Sequence, residues 1–200
     1  MKAERRKNRG FTLVELIVVI TVLGMLLAIL VPQLLGYIDE SKLKAQYASG
    51  ESCRVAAQAK LNALEYLGTE PDFNNAGNKA SETDVDQWHR AFADPALEMA
   101  GQDVRNLFIA TGKYSYYKGT PDVSPAYRVY FVVYQQDAES PVVYYDGSEW
   151  VEKSPWGGIQ ESAQIDGKTV MLQYFCLKCE TDETHTTPGA VFRSLLGGTD

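Results

Sequence analysis

The chain has 200 residues, 45% hydrophobic and 22% charged, with 19 basic and 26 acidic side chains for a net charge of −7. That much apolar material excludes wholesale disorder, and that much negative charge argues against the bulk of the chain binding nucleic acid or anionic lipid non-specifically. Three cysteines are too few for a disulfide scaffold, and two histidines leave little for a histidine-rich metal centre.

The average hides an asymmetry. The first nine residues hold Lys2, Arg5, Arg6, Lys7 and Arg9 against one acid, Glu4; without them 14 basic and 25 acidic residues remain, a net charge of −11. A long apolar run follows, and across residues 11–38 the only charge is Glu15. Residues 11–35 as a helix would measure roughly 37 Å, more than a hydrocarbon core of about 30 Å. The basic cluster before the run predicts a cytoplasmic N-terminus and a single pass through the membrane. A cleaved secretory signal would need a small-residue site after the run, and the sequence there is Val31, Pro32, Gln33, Leu34, Leu35, Gly36.

Two features are odd for a plain anchor. Gly10 separates the basic head from the apolar run, and the Glu15 carboxylate sits inside it. At membrane depth a carboxylate costs ~2.5–3.5 kcal/mol and needs a partner. The run Gly10, Phe11, Thr12, Leu13, Val14, Glu15, followed by apolar residues 16–31, resembles the prepilin signature of type IV pilins and pseudopilins. The resemblance covers about the first quarter of the chain, and Gly24 and Pro32 match residues common in that family. It implies cleavage by a prepilin peptidase between Gly10 and Phe11, N-methylation of Phe11, and a role for Glu15 in assembly. It also implies like subunits in a helical filament, an assembly ATPase and a polytopic platform protein as partners.

Beyond the membrane the pattern turns amphipathic. Ala45, Ala48, Ser52, Val55, Ala59, Ala63 and Tyr66 recur at helical spacing and are expected to face a sheet. Gly68 with Pro71 is a stop signal, and bends are expected near Pro32 and Gly36. Residues 69–81 read as a loop. Residues 83–99 read as partly helical, with Trp88, Phe92 and Leu97 as anchors and Pro95 near a helix start. Strand signals are expected from residue 127: a run at 127–134, a second at 142–145, a short one at 149–151 and another at 169–175, with Asp-Gly turns at 146–147 and 166–167. Eight of twelve tyrosines lie between Tyr114 and Tyr145, a pattern read as cross-strand packing. The predicted class is α+β: a long N-terminal helix on a small antiparallel sheet. Its parts are a leader (1–10), a transmembrane half-helix (11–38), an amphipathic half-helix (39–68), a loop region with short helices (69–126), and a sheet with a C-terminal loop (127–200).

Chemistry is sparse. Cys176, Leu177, Lys178 and Cys179 form a Cys-X-X-Cys run at a strand end, without the βαβ context of a thioredoxin-like centre. Half a zinc site with His185 would need a distant fourth ligand. A structural disulfide suits an exported body better, pairing Cys176 with Cys179 or one of them with Cys53. Extended residues three apart sit ~10 Å from each other, beyond the ~7 Å limit, so the local pair demands a turn. Glu82, Asp84 and Asp86, and Glu180, Asp182 and Glu183, could hold calcium, but a solvated face is the simpler reading. His89 has no nucleophile or spaced carboxylate beside it. No catalytic constellation and no cofactor is expected.

The expected function is that of a pilus subunit, major or minor, with a pseudopilin of a type II secretion or DNA-uptake apparatus as the alternative. The expected location is the cytoplasmic membrane and then a surface filament. Rival readings are a membrane-anchored thiol-redox protein using Cys176 and Cys179, and a ligand-binding module using Trp150, Trp156 and the tyrosines.

Overall fold

A computed structural model of the chain describes residues 11–71, 92–101 and 104–197. It divides into two compact units, Met1–Ser41 and Lys42–Asp200. Helix α1, Leu13–Tyr66, begins in the first unit and ends in the second.

In the first unit every described residue is exposed, including Leu16, Ile20, Leu23, Leu27 and Leu30. A β-branched run such as Val18, Val19, Ile20, Thr21 and Val22 is a mediocre helix former in water. Here Thr21 donates its Oγ1–H to the Ile17 carbonyl at 2.8 Å, which satisfies that hydroxyl within the helix. The segment is long and apolar enough to cross a membrane. Pro32 and Gly36, where bends were expected, both lie inside α1, which continues through them. Pro32 has no N–H to offer the carbonyl four residues earlier.

The second unit is an α+β body, the class expected from sequence. Helix α1 ends there in a Schellman turn: Gly68 adopts φ 66°, its N–H reaches Glu65 O at 3.0 Å, and Thr69 N–H reaches Leu64 O at 2.9 Å. The further elements are helix α2, Asp94–Ala100; strand β1, Asn106–Gly112; helix α3, Tyr114–Tyr117; a 3-10 turn, Ser124–Tyr127; strands β2, Val129–Gln135, β3, Val143–Tyr145, β4, Trp150–Val151, β5, Ser162–Ile165, and β6, Lys168–Lys178; and helix α4, Pro188–Leu195. The strands form one antiparallel sheet in the order β4-β3-β2-β1-β6-β5. The turn between β5 and β6 is the expected Asp-Gly pair, with Asp166 at φ 51° and Gly167 at φ 72°, the double positive φ that a two-residue hairpin turn requires.

Three expectations need correction. The sheet does not begin at residue 127: β1 lies within the stretch read as loops and short helices, and all seven of its residues are buried at the sheet centre. A strand buried on both faces shows a continuous apolar run rather than alternation, so it lacked the pattern sought. The C-terminal stretch read as loop carries α4, capped by Thr187 Oγ1, which accepts from Ala190 N–H at 3.2 Å. The small-residue stripe of α1 is not the packed one: Ala45, Ala48, Ser52, Val55, Ala59, Ala63 and Tyr66 are all exposed. Gln46, Gly50, Cys53, Ala57, Leu61 and Leu64 are buried instead. Both stripes have helical spacing, and burying Leu61 and Leu64 gains far more than burying alanines.

Two cores follow from strand alternation. On one face Leu107 and Ile109 of β1 meet Cys53, Ala57, Leu61 and Leu64 of α1, with Phe92 of the α2 region. On the other, Phe108 and Ala110 meet Val191, Phe192 and Leu196 at α4, with Phe108 and Phe192 stacked at 4.8 Å. Where β1 and β2 slip register at Ala110 and Thr111, the Gln58 amide stands in as a strand partner, donating to Tyr127 O and accepting from Val129 N–H, both at 2.8 Å. Trp150 lies over Gly50, where a Cβ would come within 2.6 Å of the ring, and donates its indole N–H to Glu51 at 2.9 Å.

Burial pushes Cys53 from its ordinary 9.0 up to about 12, and Tyr134 and Tyr174 from 10.0 up to about 12. All three are raised, so the stability gained from their neutral forms is fully present below the unfolded values and is lost as pH rises through the folded ones. The body's melting temperature should therefore hold to pH 9 and fall between there and about 12. In Cys53→Ala the fall above pH 9 should be shallower, with Cys176, which is also raised, and the tyrosines contributing what remains. Thermal melts in a pH series check this, and a flat profile up to 12 would contradict it.

Candidate functional site

The start of α1 is built around a reciprocal cap. Thr12 precedes the first helical residue, Leu13. The backbone N–H and hydroxyl of Thr12 both donate to Glu15 Oε2, at 2.9 and 2.7 Å, and Glu15 N–H donates back to Thr12 Oγ1 at 3.3 Å. This is a capping box, in which a Thr and a Glu three residues on satisfy orphan donors of the first turn. Its consequence is directional: the Glu15 carboxylate is turned back toward the chain's N-terminal end, where the helix dipole also favours negative charge. Phe11 is almost fully exposed just before the cap. Thr12 was not singled out from sequence, although Thr-X-X-Glu before an apolar run is a readable cap signature. Gly10 lies outside the described residues.

The cysteines are resolved by the two faces of the sheet. Cys53 is buried on the α1 face, while Cys176 and Cys179 pack against the α4 face. A bridge from Cys53 to either one would have to pass through the sheet, so that alternative falls. Cys176 and Cys179 lie on the same face, each close enough to shift the other, so that Cys176 is raised and Cys179 lowered. The turn that sequence demanded is a β-bulge: Leu107 pairs with Lys178 but Phe108 with Cys176, which inserts one extra β6 residue.

The other candidates are absorbed by packing or local turns. Asp182 accepts from Thr184 N–H, His185 N–H and the Thr184 hydroxyl through one oxygen, bonds that hold its carboxyl well below the usual range. Among the described residues no three His, Cys, Asp or Glu side chains converge as metal ligands. Glu82, Asp84, Asp86, Trp88 and His89 lie outside the described residues. Trp156 stacks on Phe131 at 4.1 Å and Trp150 is held against α1, so one face of each ring is taken up by packing. Tyr114, Tyr127, Tyr130, Tyr134 and Tyr144 are buried in the sheet cores; Tyr116 remains exposed beside an open cleft of about 570 Å³.

Residues 5–31 match the family of the prokaryotic N-terminal methylation motif. The chain has a pilin-type N-terminus. The matched stretch contains the basic residues Arg5, Arg6, Lys7 and Arg9, the Gly10–Phe11 junction, the Thr12–Glu15 cap and most of the exposed apolar part of α1. The chain is also similar to the type II secretion system core protein G of Pseudomonas aeruginosa, 37% identical over 62 residues. That match spans 31% of this chain and 42% of the relative's length, and so leaves most of this chain outside it. No solved structure matches the chain. The pilin-type segment thus joins two observed properties to the methylation motif: a capped carboxylate and an apolar helix that nothing described in its own unit covers.

Proposed function

We propose that this protein is a structural subunit of a pilus-like filament, held in the membrane by the first part of α1 until it is processed and assembled. The observation that carries this reading is the methylation motif at residues 5–31, set on a helix whose apolar side chains are all exposed within their unit. In lipid those side chains are satisfied; outside it, association of like helices removes them from water at about 25 cal/mol per Å². Prepilin peptidase cuts between Gly10 and Phe11, and the new α-amine of Phe11 is methylated. That amine then lies one residue before Thr12, on the side toward which the cap directs Glu15.

The similarity to core protein G of a type II secretion system favours a secretion filament over a surface pilus, with the assembly ATPase and platform protein of such a machine as partners. The mechanism is assembly rather than catalysis, and it calls on no cofactor. The N-terminus faces the cytoplasm by its basic cluster, and the body lies on the far side of the membrane.

Intact-mass analysis of membrane-extracted protein tests the reading at its root. The expected mass lacks residues 1–10 and carries one extra methyl group. An uncut chain, or a cut after the apolar run, would overturn it.

A further inference from the structure

Cys176 is held in β6 opposite Phe108, and Cys179 lies just past the end of that strand. In an unbroken strand, residues three apart point to opposite faces. The bulge opposite Leu107 and Phe108 reverses that parity, and both sulfurs lie on the α4 face of the sheet. The chain beyond them is pinned: Glu180 N–H donates to Oδ1 of buried Asn106 at 3.1 Å, and Asn106 Nδ2–H donates to Gln135 at 2.8 Å. The two sulfurs are therefore held side by side by strand pairing on one flank and a buried asparagine on the other.

We propose that Cys176 and Cys179 are a thiol–disulfide exchange site that closes to an intramolecular disulfide when the body meets a disulfide oxidant, with Cys179 as the attacking sulfur and Cys176 as the resolving one. This goes beyond the filament reading and does not rest on it. Both residues are half-buried, but Cys176 sits within the paired part of β6 while Cys179 lies past the strand's end, where an oxidant has the freer approach. The effect of each sulfur on the other supports the same order. Cys179 is lowered toward the thiolate by its neighbour, while that neighbour and burial raise Cys176 and keep its proton on. Cys53 is buried on the opposite face and pushed up to about 12, so it is inert and serves as an internal control.

The exchange balances. The Cys179 thiolate attacks one sulfur of an oxidant RSSR; that S–S bond breaks, and RS⁻ leaves with its electron pair and is protonated. Cys176 releases its proton to solvent, and its sulfur attacks Cys179 Sγ, expelling the second RS⁻, which takes up a proton. One dithiol and one RSSR become one protein disulfide and two RSH, with two electrons passed to the oxidant.

The full chain in detergent, first reduced, is titrated with glutathione disulfide, quenched, and mapped by differential alkylation. The expected product pairs Cys176 with Cys179 and leaves Cys53 as a thiol that alkylates only after denaturation. Cys176→Ser should trap glutathione on Cys179, at least about tenfold faster than Cys179→Ser traps it on Cys176. Free thiols at both positions under excess oxidant, a bridge that includes Cys53, or a zinc ion bound to the pair that blocks oxidation would overturn the proposal. Equal or reversed trapping rates would overturn the assigned order. If a serine variant exposes Cys53 to native-state alkylation it has unfolded, and the order is then read from wild-type protein under limiting oxidant by which sulfur carries the transient glutathione.

Discussion

Glu15→Val is expected to cut the yield of sheared filaments by on the order of 10- to 100-fold relative to the membrane pool, because the variant loses a charge-assisted contact worth ~1.5–3 kcal/mol. Insertion, cleavage between Gly10 and Phe11, and body folding should be unchanged, since Glu15 is in the unit separate from the sheet-bearing body. The cap gives the test a second arm. Glutamine can also serve at the third position of a capping box, so Glu15→Gln keeps the first turn of α1 ordered while removing the charge. If the ionised carboxylate docks against the freed α-amine of Phe11, Gln should assemble nearly as poorly as Val. Asp, one methylene shorter, should be impaired but less so. Full recovery with Gln would show that assembly needs the cap and not the charge. Normal yield from Val would show that neither matters, and the docking mechanism would be lost. The readout is filament against membrane-pool protein on one blot.

Phe131→Ala should act on the body alone. Phe131 is wholly buried in β2, stacked on Trp156 at 4.1 Å and on Tyr144 at 6.4 Å. Truncation removes the ring and leaves a cavity between rigid aromatics that cannot collapse to fill it, a cost of ~3–5 kcal/mol. For a body of this size that corresponds to a melting temperature roughly 6–20 °C lower. Val55→Ala on the exposed stripe of α1 is the control, expected within about 0.5 kcal/mol of the parent. Leader cleavage should be the same in both variants. A loss below about 1 kcal/mol in Phe131→Ala would mean that Trp156 refills the site.

At the N-terminus, residue order alone carried nearly everything. The basic head, Gly10, Phe11, Glu15 and the apolar run are read through charge and hydropathy along the chain, so they are legible without knowing what packs where. The end of α1 at Gly68 was legible for the same reason, because a left-handed glycine closing a helix is a local event. Even the Thr12–Glu15 cap was available in the spacing, though the family signature drew attention to Glu15 alone. The turn at Asp166 and Gly167 likewise follows from two residues that tolerate positive φ.

What the tertiary structure decided is everything that depends on a partner distant in the chain. Two stripes of α1 have equal helical spacing, and only the sheet beneath determines that Leu61 and Leu64 go inward while Ala59 and Ala63 stay out. Strand β1 was missed because burial on both faces erases alternation, and its central place exists only through β2 and β6. The placement of the three cysteines is the sharpest case. Nothing in the sequence places Cys53 on one face of a sheet and Cys176 with Cys179 on the other; strand alternation and a single bulge opposite Leu107 do that.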